Sequence, residues 1–367
     1  MTSQKKRTKP LSLGTIILAI LVIGSLALLD WLGIVDLDLL DGSGPVIEEP
    51  GGPWYQVYFT SPRYPDKDEY HTGGLDERLA DSIAEAQKSV DVAAYDFDLT
   101  TVAQALIAAQ KRGVQVRLVT DTDNVDEQAV RSIEKAGIPV VDDERGAIMH
   151  NKFVIIDEST LWTGSWNLTE NGTYRNNNNA VMLQSVRLAE NYSAEFEEMF
   201  RGKDFGPGSP ADTPHPQLKI GGVAVENYFA PEDQVGAKLV SLLESADSSI
   251  RFMAFSFTHD EIGQAMRNRA LAGVTVQGVF EDRGSDTKYS EYGKLKKVDG
   301  VEVRLDGNRY IMHHKVIIID DEIVVLGSFN FSASADEKND ENVLVIHDAD
   351  FAAQYLAEFQ RIWADAN

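Results

Sequence analysis

One segment occurs twice in this chain of 367 residues: MHNKFVIID at 149–157 and MHHKVIIID at 312–320. Around it lies a longer repeat, which limits the available folds more than any other feature. From Val90 the first copy reads VDVAAYDFDLTTVAQALIAAQKRGVQVRLVTD; from Ile250 the second reads IRFMAFSFTHDEIGQAMRNRALAGVTVQGVFED. In each, a short apolar strand leads into a segment with apolar residues at helical spacing. These are Val102, Leu106 and Ala109 in the first copy, and Ile262, Met266 and Leu271 in the second. Each segment ends at a glycine, Gly113 or Gly273, suited to the left-handed turn after a helix, and a β-branched strand follows. Each copy closes with a predicted helix, VRLAENYSAEFEEMFRG or ADFAAQYLAEFQRIWAD. Alternating strands and helices predict an α/β protein of two lobes, each a sheet covered by helices. The first lobe is placed at 54–205 and the second at 222–367. A linker at 206–221, containing GPGSPADTPHP, joins them.

Side chains alternate across a strand, so His150 and Lys152 share one face of the first segment, and His313 and Lys315 one face of the second. His314 points away from that face. A polar pair opening a buried apolar strand costs free energy unless it is partnered or serves a site. The segments also share their downstream residues. Six residues separate Asp157 from GSWN (Gly164, Ser165, Trp166, Asn167), and six separate Asp320 from GSFN (Gly327, Ser328, Phe329, Asn330). Eleven positions beyond each asparagine stand Asn178 and Glu341.

Two histidines, two lysines and two asparagines suit a phosphodiester. Ammonium and amide donors can hold the non-bridging oxygens. A neutral imidazole can attack phosphorus, and a protonated one can supply the leaving oxygen with its proton. Lysines that neutralise the developing charge leave no task for a metal, so no cofactor is expected. The chain lacks cysteine, which excludes disulfides and thiolate metal sites.

The pattern H-x-K-x4-D-x6-G-S-x-N, present twice, resembles the phospholipase D superfamily over residues 54–367. The resemblance implies two pseudo-twofold-related α-β-α sandwich lobes, and attack through a covalent phosphohistidine. It places His150, Lys152 and Asn167 with His313, Lys315 and Asn330 as the catalytic residues. Ser165 and Ser328 then shape the phosphate pocket, and Asp157 and Asp320, on the other strand face, are structural. The family usually has an acid where this chain has Asn178, to accept a hydrogen bond from a catalytic histidine; Glu341 keeps that acid in the second lobe. If each lobe supports its own histidine, Glu341 favours a charged His313 and Asn178 a neutral His150. His150 is then the nucleophile and His313 the general acid, in line with the family's usual use of the N-terminal histidine as nucleophile.

Residues 11–29, LSLGTIILAILVIGSLALL, carry no charge, and four of the 34 lysines and arginines lie before them in residues 1–10. Length and flank predict a transmembrane anchor with its basic end in the cytoplasm and the lobes outside, tethered by an acidic Gly/Pro-rich stretch at 30–53. A cleaved signal sequence, with Ser25 and Ala27 near the cut, is the alternative and would give a secreted protein. The formal net charge of −24 argues against a general nucleic-acid surface. A phospholipid membrane is therefore the first expected partner and a phospholipid headgroup diester the first substrate. A nuclease is the second reading, favoured by the short lobes. A phosphatidyl-transferase of cardiolipin-synthase type is the third, although two anchoring helices would be expected there. Both half-sites lie in one chain, so a functional monomer is expected.

Overall fold

The computed structural model describes residues 47–49 and 52–367. The stretch 11–29 lies outside the described residues. Among the described residues no helix is long and apolar enough to cross a membrane. The longest, Ala349–Asp365, has 17 residues and buries one face, with Phe351, Tyr355, Phe359 and Ile362, inside the protein. The expected single-pass placement with the lobes held outside the cytoplasm is corrected on that finding.

The first lobe is a seven-stranded sheet in the order 55–59, 179–184, 160–164, 152–156, 89–94, 115–120, 140–142. The second lobe repeats that order with 223–230, 341–347, 323–327, 315–319, 249–254, 275–280 and 301–305, and adds Gln217–Ile220 outside Val223–Ala230. That added strand falls within the stretch read as a linker. In each lobe the last three strands run parallel, as the strand–helix–strand pattern requires, and the strand after the histidine lies antiparallel to them.

Three apolar cores bind the layers together, the central one enclosing the closing helices. Helices Leu75–Glu85, Thr100–Lys111 and Gln128–Lys135 cover the outer face of the first sheet. Helices Val235–Glu244 and Asp260–Leu271 cover that of the second. The closing helices, Val186–Glu197 and Ala349–Asp365, lie between the sheets, where Phe153, Ile155, Val316 and Ile318 share one core. One expected core residue departs from this scheme. Leu271 is 71% exposed, while Ile262, Met266 and Ala270 are buried, because the stripe continues at four-residue steps and passes Leu271 by.

Asp157 and Asp320 close the turn after each repeated strand with positive φ angles of 53°. The Asp157 carboxylate accepts N–H bonds from Gln87, Lys88 and Ser89 at 2.6–3.1 Å. Asp320 accepts from Asp247, Ser248 and Ser249 at 2.7–2.8 Å. Burial works against their charged forms, but the backbone donors outweigh it and hold both carboxyls below their usual range. Each aspartate thereby ties the end of the site strand to the start of the neighbouring strand.

Candidate active site

Two short strands explain how the lobes meet. Ile311–Met312 pairs with Asn176–Asn177 of the first lobe, and Met149 bridges to Asp340 of the second. The His313 N–H donates to the Asn177 carbonyl and the His150 N–H to that of Asp340, both at 2.9 Å. The residue that follows each acceptor therefore lies beside the histidine of the opposite lobe.

The pairing is crossed. Glu341 Oε2 lies 2.7 Å from Nδ1 of His150, and Asn178 Oδ1 lies 2.9 Å from Nδ1 of His313. The expected pairing of Glu341 with His313 and Asn178 with His150 is overturned by this docking. Asn178 Nδ2 donates to the Gly172 carbonyl, so Oδ1 must face the ring. An amide oxygen can only accept, so His313 carries its proton on Nδ1 and keeps Nε2 free. The Glu341 carboxylate also accepts from Ser328 Oγ at 2.7 Å and Asn339 Nδ2 at 3.3 Å. Ser165 Oγ donates to Asn178 Oδ1 at 2.9 Å. The two serines thus hold the groups that orient the histidines, a more specific arrangement than the general shaping of the phosphate pocket expected of them.

Glycine at 164 and 327 makes this possible. Their φ angles are 147° and 146°, and a Cβ would stand 2.4 Å from the Asn179 carbonyl oxygen and 2.1 Å from that of Asn342. The close approach places each serine against the strand that carries Asn178 or Glu341.

Lys152 Nζ donates to the carbonyl of His150 at 2.7 Å, and Lys315 Nζ to that of His313 at 2.9 Å. All four side chains are buried. Burial, reinforced by the neighbouring lysines, holds both imidazoles well below their usual range. Burial likewise lowers Lys152 to about 7, against the pull of Glu341, and lowers Lys315 strongly. Burial raises Glu341 to about 8, with Lys152 opposing. One proton therefore bridges Nδ1 of His150 and Glu341 once the pair has shed its second. Asn167 and Asn330 stand half-buried, and the Oδ1 of each is buried with no protein partner. Their amides remain available to a ligand between the two lysines.

Several contributors escaped the sequence reading. The His150 ring packs edge-on to Tyr95, and that of His313 to Phe255, at 4.9 and 4.7 Å. The lysine ammonium groups lie 5.1 and 4.9 Å from the same aromatic rings. Asp121 Oδ2 accepts the N–H of Met149 at 2.9 Å, and Glu281 Oε2 that of Met312 at 2.6 Å. Tyr95 and Phe255, like Asp121 and Glu281, are 160 positions apart, the spacing of Gly113 and Gly273. That constant offset was the signal available for them. The middle residues of the motifs are buried too. Asn151 accepts from Asn342 Nδ2 at 2.9 Å, and His314 Nδ1 accepts from Asn179 Nδ2 at 3.1 Å, again crossing between lobes.

Comparison with known proteins agrees with this architecture. The family described as cardiolipin synthase, PLD-like domain, matches residues 79–200 and again 239–363, once in each lobe. Mitochondrial cardiolipin hydrolase of Mus musculus is 30% identical over 161 residues, 44% of this chain and 65% of that protein. The chain spans only about half of the dog and human counterparts, at 51% and 52%. Phospholipase D of Rickettsia bellii is 33% identical over 150 residues, 39% of this chain and 74% of the relative. The structure of phosphatidylserine synthase from Haemophilus influenzae shares the fold, with a TM-score of 0.61 and 14% identity over 85% of this chain and 87% of that one. With the family matched in both lobes, over more than half its length, the chain belongs to the phospholipase D superfamily.

Proposed function

We propose that this protein hydrolyses phospholipid headgroup diesters through a phosphohistidine, using His150 as nucleophile and His313 as acid and then base. The carrying observation is the 2.7 Å contact between Glu341 Oε2 and Nδ1 of His150. Attack by Nε2 of His150 on phosphorus leaves a positive charge on the ring, and a carboxylate at Nδ1 stabilises that charge. The neutral amide of Asn178 gives His313 no such stabilisation, so a proton on its Nε2 is readily given up. The nucleophile assignment made from sequence is kept, but its reason changes with the pairing.

In the first step the P–O bond to the headgroup breaks as the N–P bond forms, and the alkoxide takes the proton from Nε2 of His313. Substrate brings a negative charge between Lys152 and Lys315. It opposes their depressing effect on the histidines and lets His313 enter the step protonated. In the second step His313 takes a proton from water, the hydroxide oxygen attacks phosphorus, and the N–P bond breaks. Lys152, Lys315, Asn167 and Asn330 hold the non-bridging oxygens throughout. This donor set suits an anion, since a cation there would face two ammonium groups. Asp157 and Asp320 keep the strands in place and move no proton.

Phospholipid is favoured over nucleic acid by the net charge of −24 and by relatives named cardiolipin hydrolase and phospholipase D. The test is a panel of phosphatidylcholine, phosphatidylglycerol, cardiolipin, single-stranded and duplex DNA, and RNA, with and without chelator. Headgroup release that survives chelation supports the proposal. Cleavage of nucleic acid alone replaces the substrate, and activity restored only by one cation replaces the mechanism.

A further inference from the structure

The two lobes differ most between the first strand and first helix of the repeated fold. In the second lobe four residues, 231–234, connect Ala230 to Val235; in the first, fifteen residues, 60–74, connect Phe59 to Leu75. That longer connection walls a groove of about 420 Å³, which no residue proposed for catalysis lines. The volume is in the range of small-molecule sites.

Arg63 and Arg78, both exposed, reach the groove from the connection and from the first helix. Arg63 lies over Tyr70 at 4.8 Å and Arg78 over Tyr58 at 5.2 Å. Among the described residues neither guanidinium pairs with a carboxylate. Most other arginines in this acidic chain do, including Arg117, Arg145, Arg175 and Arg267. Glu69 also lines the groove, and Lys67 offsets its charge at 3.4 Å. Ser61 and Thr72, both exposed, add hydroxyls to the wall. Two guanidiniums free of carboxylates, beside hydroxyls and tyrosine rings, are equipped for a multiply hydrogen-bonded oxyanion such as a phosphate, carrying a polar body.

We propose that this groove binds a phosphate ester with a polar body, the chemistry shared by the glycerophosphoryl headgroup of a phospholipid and by free phosphate monoesters. Arg63 and Arg78 are its anion contacts. The site is separate from the paired histidines but touches their support. Thr60 Oγ1 accepts the N–H of Asn178 at 2.7 Å and donates to the Asn176 carbonyl at 2.7 Å, so the groove wall includes a contact of the residue that orients His313.

The test is calorimetric titration of the full chain with sn-glycerol 3-phosphate, beside sedimentation with phosphatidylglycerol and phosphatidylcholine vesicles. Wild type is expected to bind the soluble ester at two places, the groove and the lysine pair. R63Q/R78Q removes exposed side chains, and an unchanged unfolding midpoint verifies its fold. It should lose one of the two events, or weaken it at least about tenfold. If vesicle binding weakens in parallel, the source is a lipid headgroup; if only the soluble ester is lost, it is a free monoester. A single binding event unaffected by R63Q/R78Q, or no event at all, overturns the proposal. Neither readout requires turnover, so this site can fail while the hydrolase reading stands, and the reverse.

Discussion

Glu341 in the second lobe lies 2.7 Å from Nδ1 of His150 in the first, so the more strongly supported histidine depends on the opposite half of the chain. Replacing the carboxylate by an amide keeps the shape and removes the charge. Glu341→Gln is expected to lower kcat by about 10²–10⁴-fold, the range for losing support of a catalytic histidine, with little change in KM. Steady-state turnover of bis(p-nitrophenyl) phosphate is the measurement. An unchanged kcat would remove Glu341 from the mechanism.

The same pair predicts a pH dependence. Burial raises Glu341 to about 8, so below that pH the pair holds a second proton and Nε2 of His150 is blocked. In wild type kcat/KM, which reports the free protein, should rise as pH rises through about 8. Glu341→Gln should flatten that limb. A wild-type kcat/KM that falls over the same interval contradicts the assignment.

Covalent capture separates the two histidines. Acid-quenched turnover of a phosphorus-labelled diester should leave label on His150, in wild type and in His313→Ala given an activated leaving group that needs little protonation. Label on His313 in wild type would reverse the roles.

Lys152 is held at about 7 by burial, so in the free protein it sheds its proton as pH rises past that value. An anion seated against it restores the ammonium. Tungstate binding should therefore weaken above pH 7 and take up protons, about one of them on Lys152, read by calorimetry in buffers of different ionisation enthalpy. Lys152→Arg keeps its charge at all these pH values and should lower the uptake by the share that Lys152 contributes. Equal proton uptake in both proteins would show that another group is responsible.

Asp157 accepts backbone bonds from Gln87, Lys88 and Ser89 and stands apart from the histidines. Asp157→Ala should cost about 1–3 kcal/mol of stability in urea unfolding, because water replaces these acceptors only in part. Turnover per folded molecule should be unchanged. A specific loss of kcat at full stability would make Asp157 part of the chemistry.

Repeats and periodicity carry the local half of this architecture. The strand–helix–strand units, the shared face of His150 and Lys152, and the matching face of His313 and Lys315 follow from spacings of two and of three to four residues, which backbone geometry fixes locally. The G-S-x-N glycines were legible as a motif, but their need for a positive φ beside Asn179 and Asn342 appears only in the folded strands. Tyr95, Phe255, Asp121 and Glu281 carry no local mark of their place, since nothing in the adjacent sequence distinguishes a residue packed on a histidine from one packed on a core. The crossed pairing of Glu341 with His150 and Asn178 with His313 arises from the docking of the lobes. A partner across an interface is set by how two sheets dock, here by the pairing of 311–312 with 176–177 and the bridge from Met149 to Asp340. Equal spacing within each repeat carries no information about that docking, because same-lobe and opposite-lobe partners would leave the sequence pattern identical.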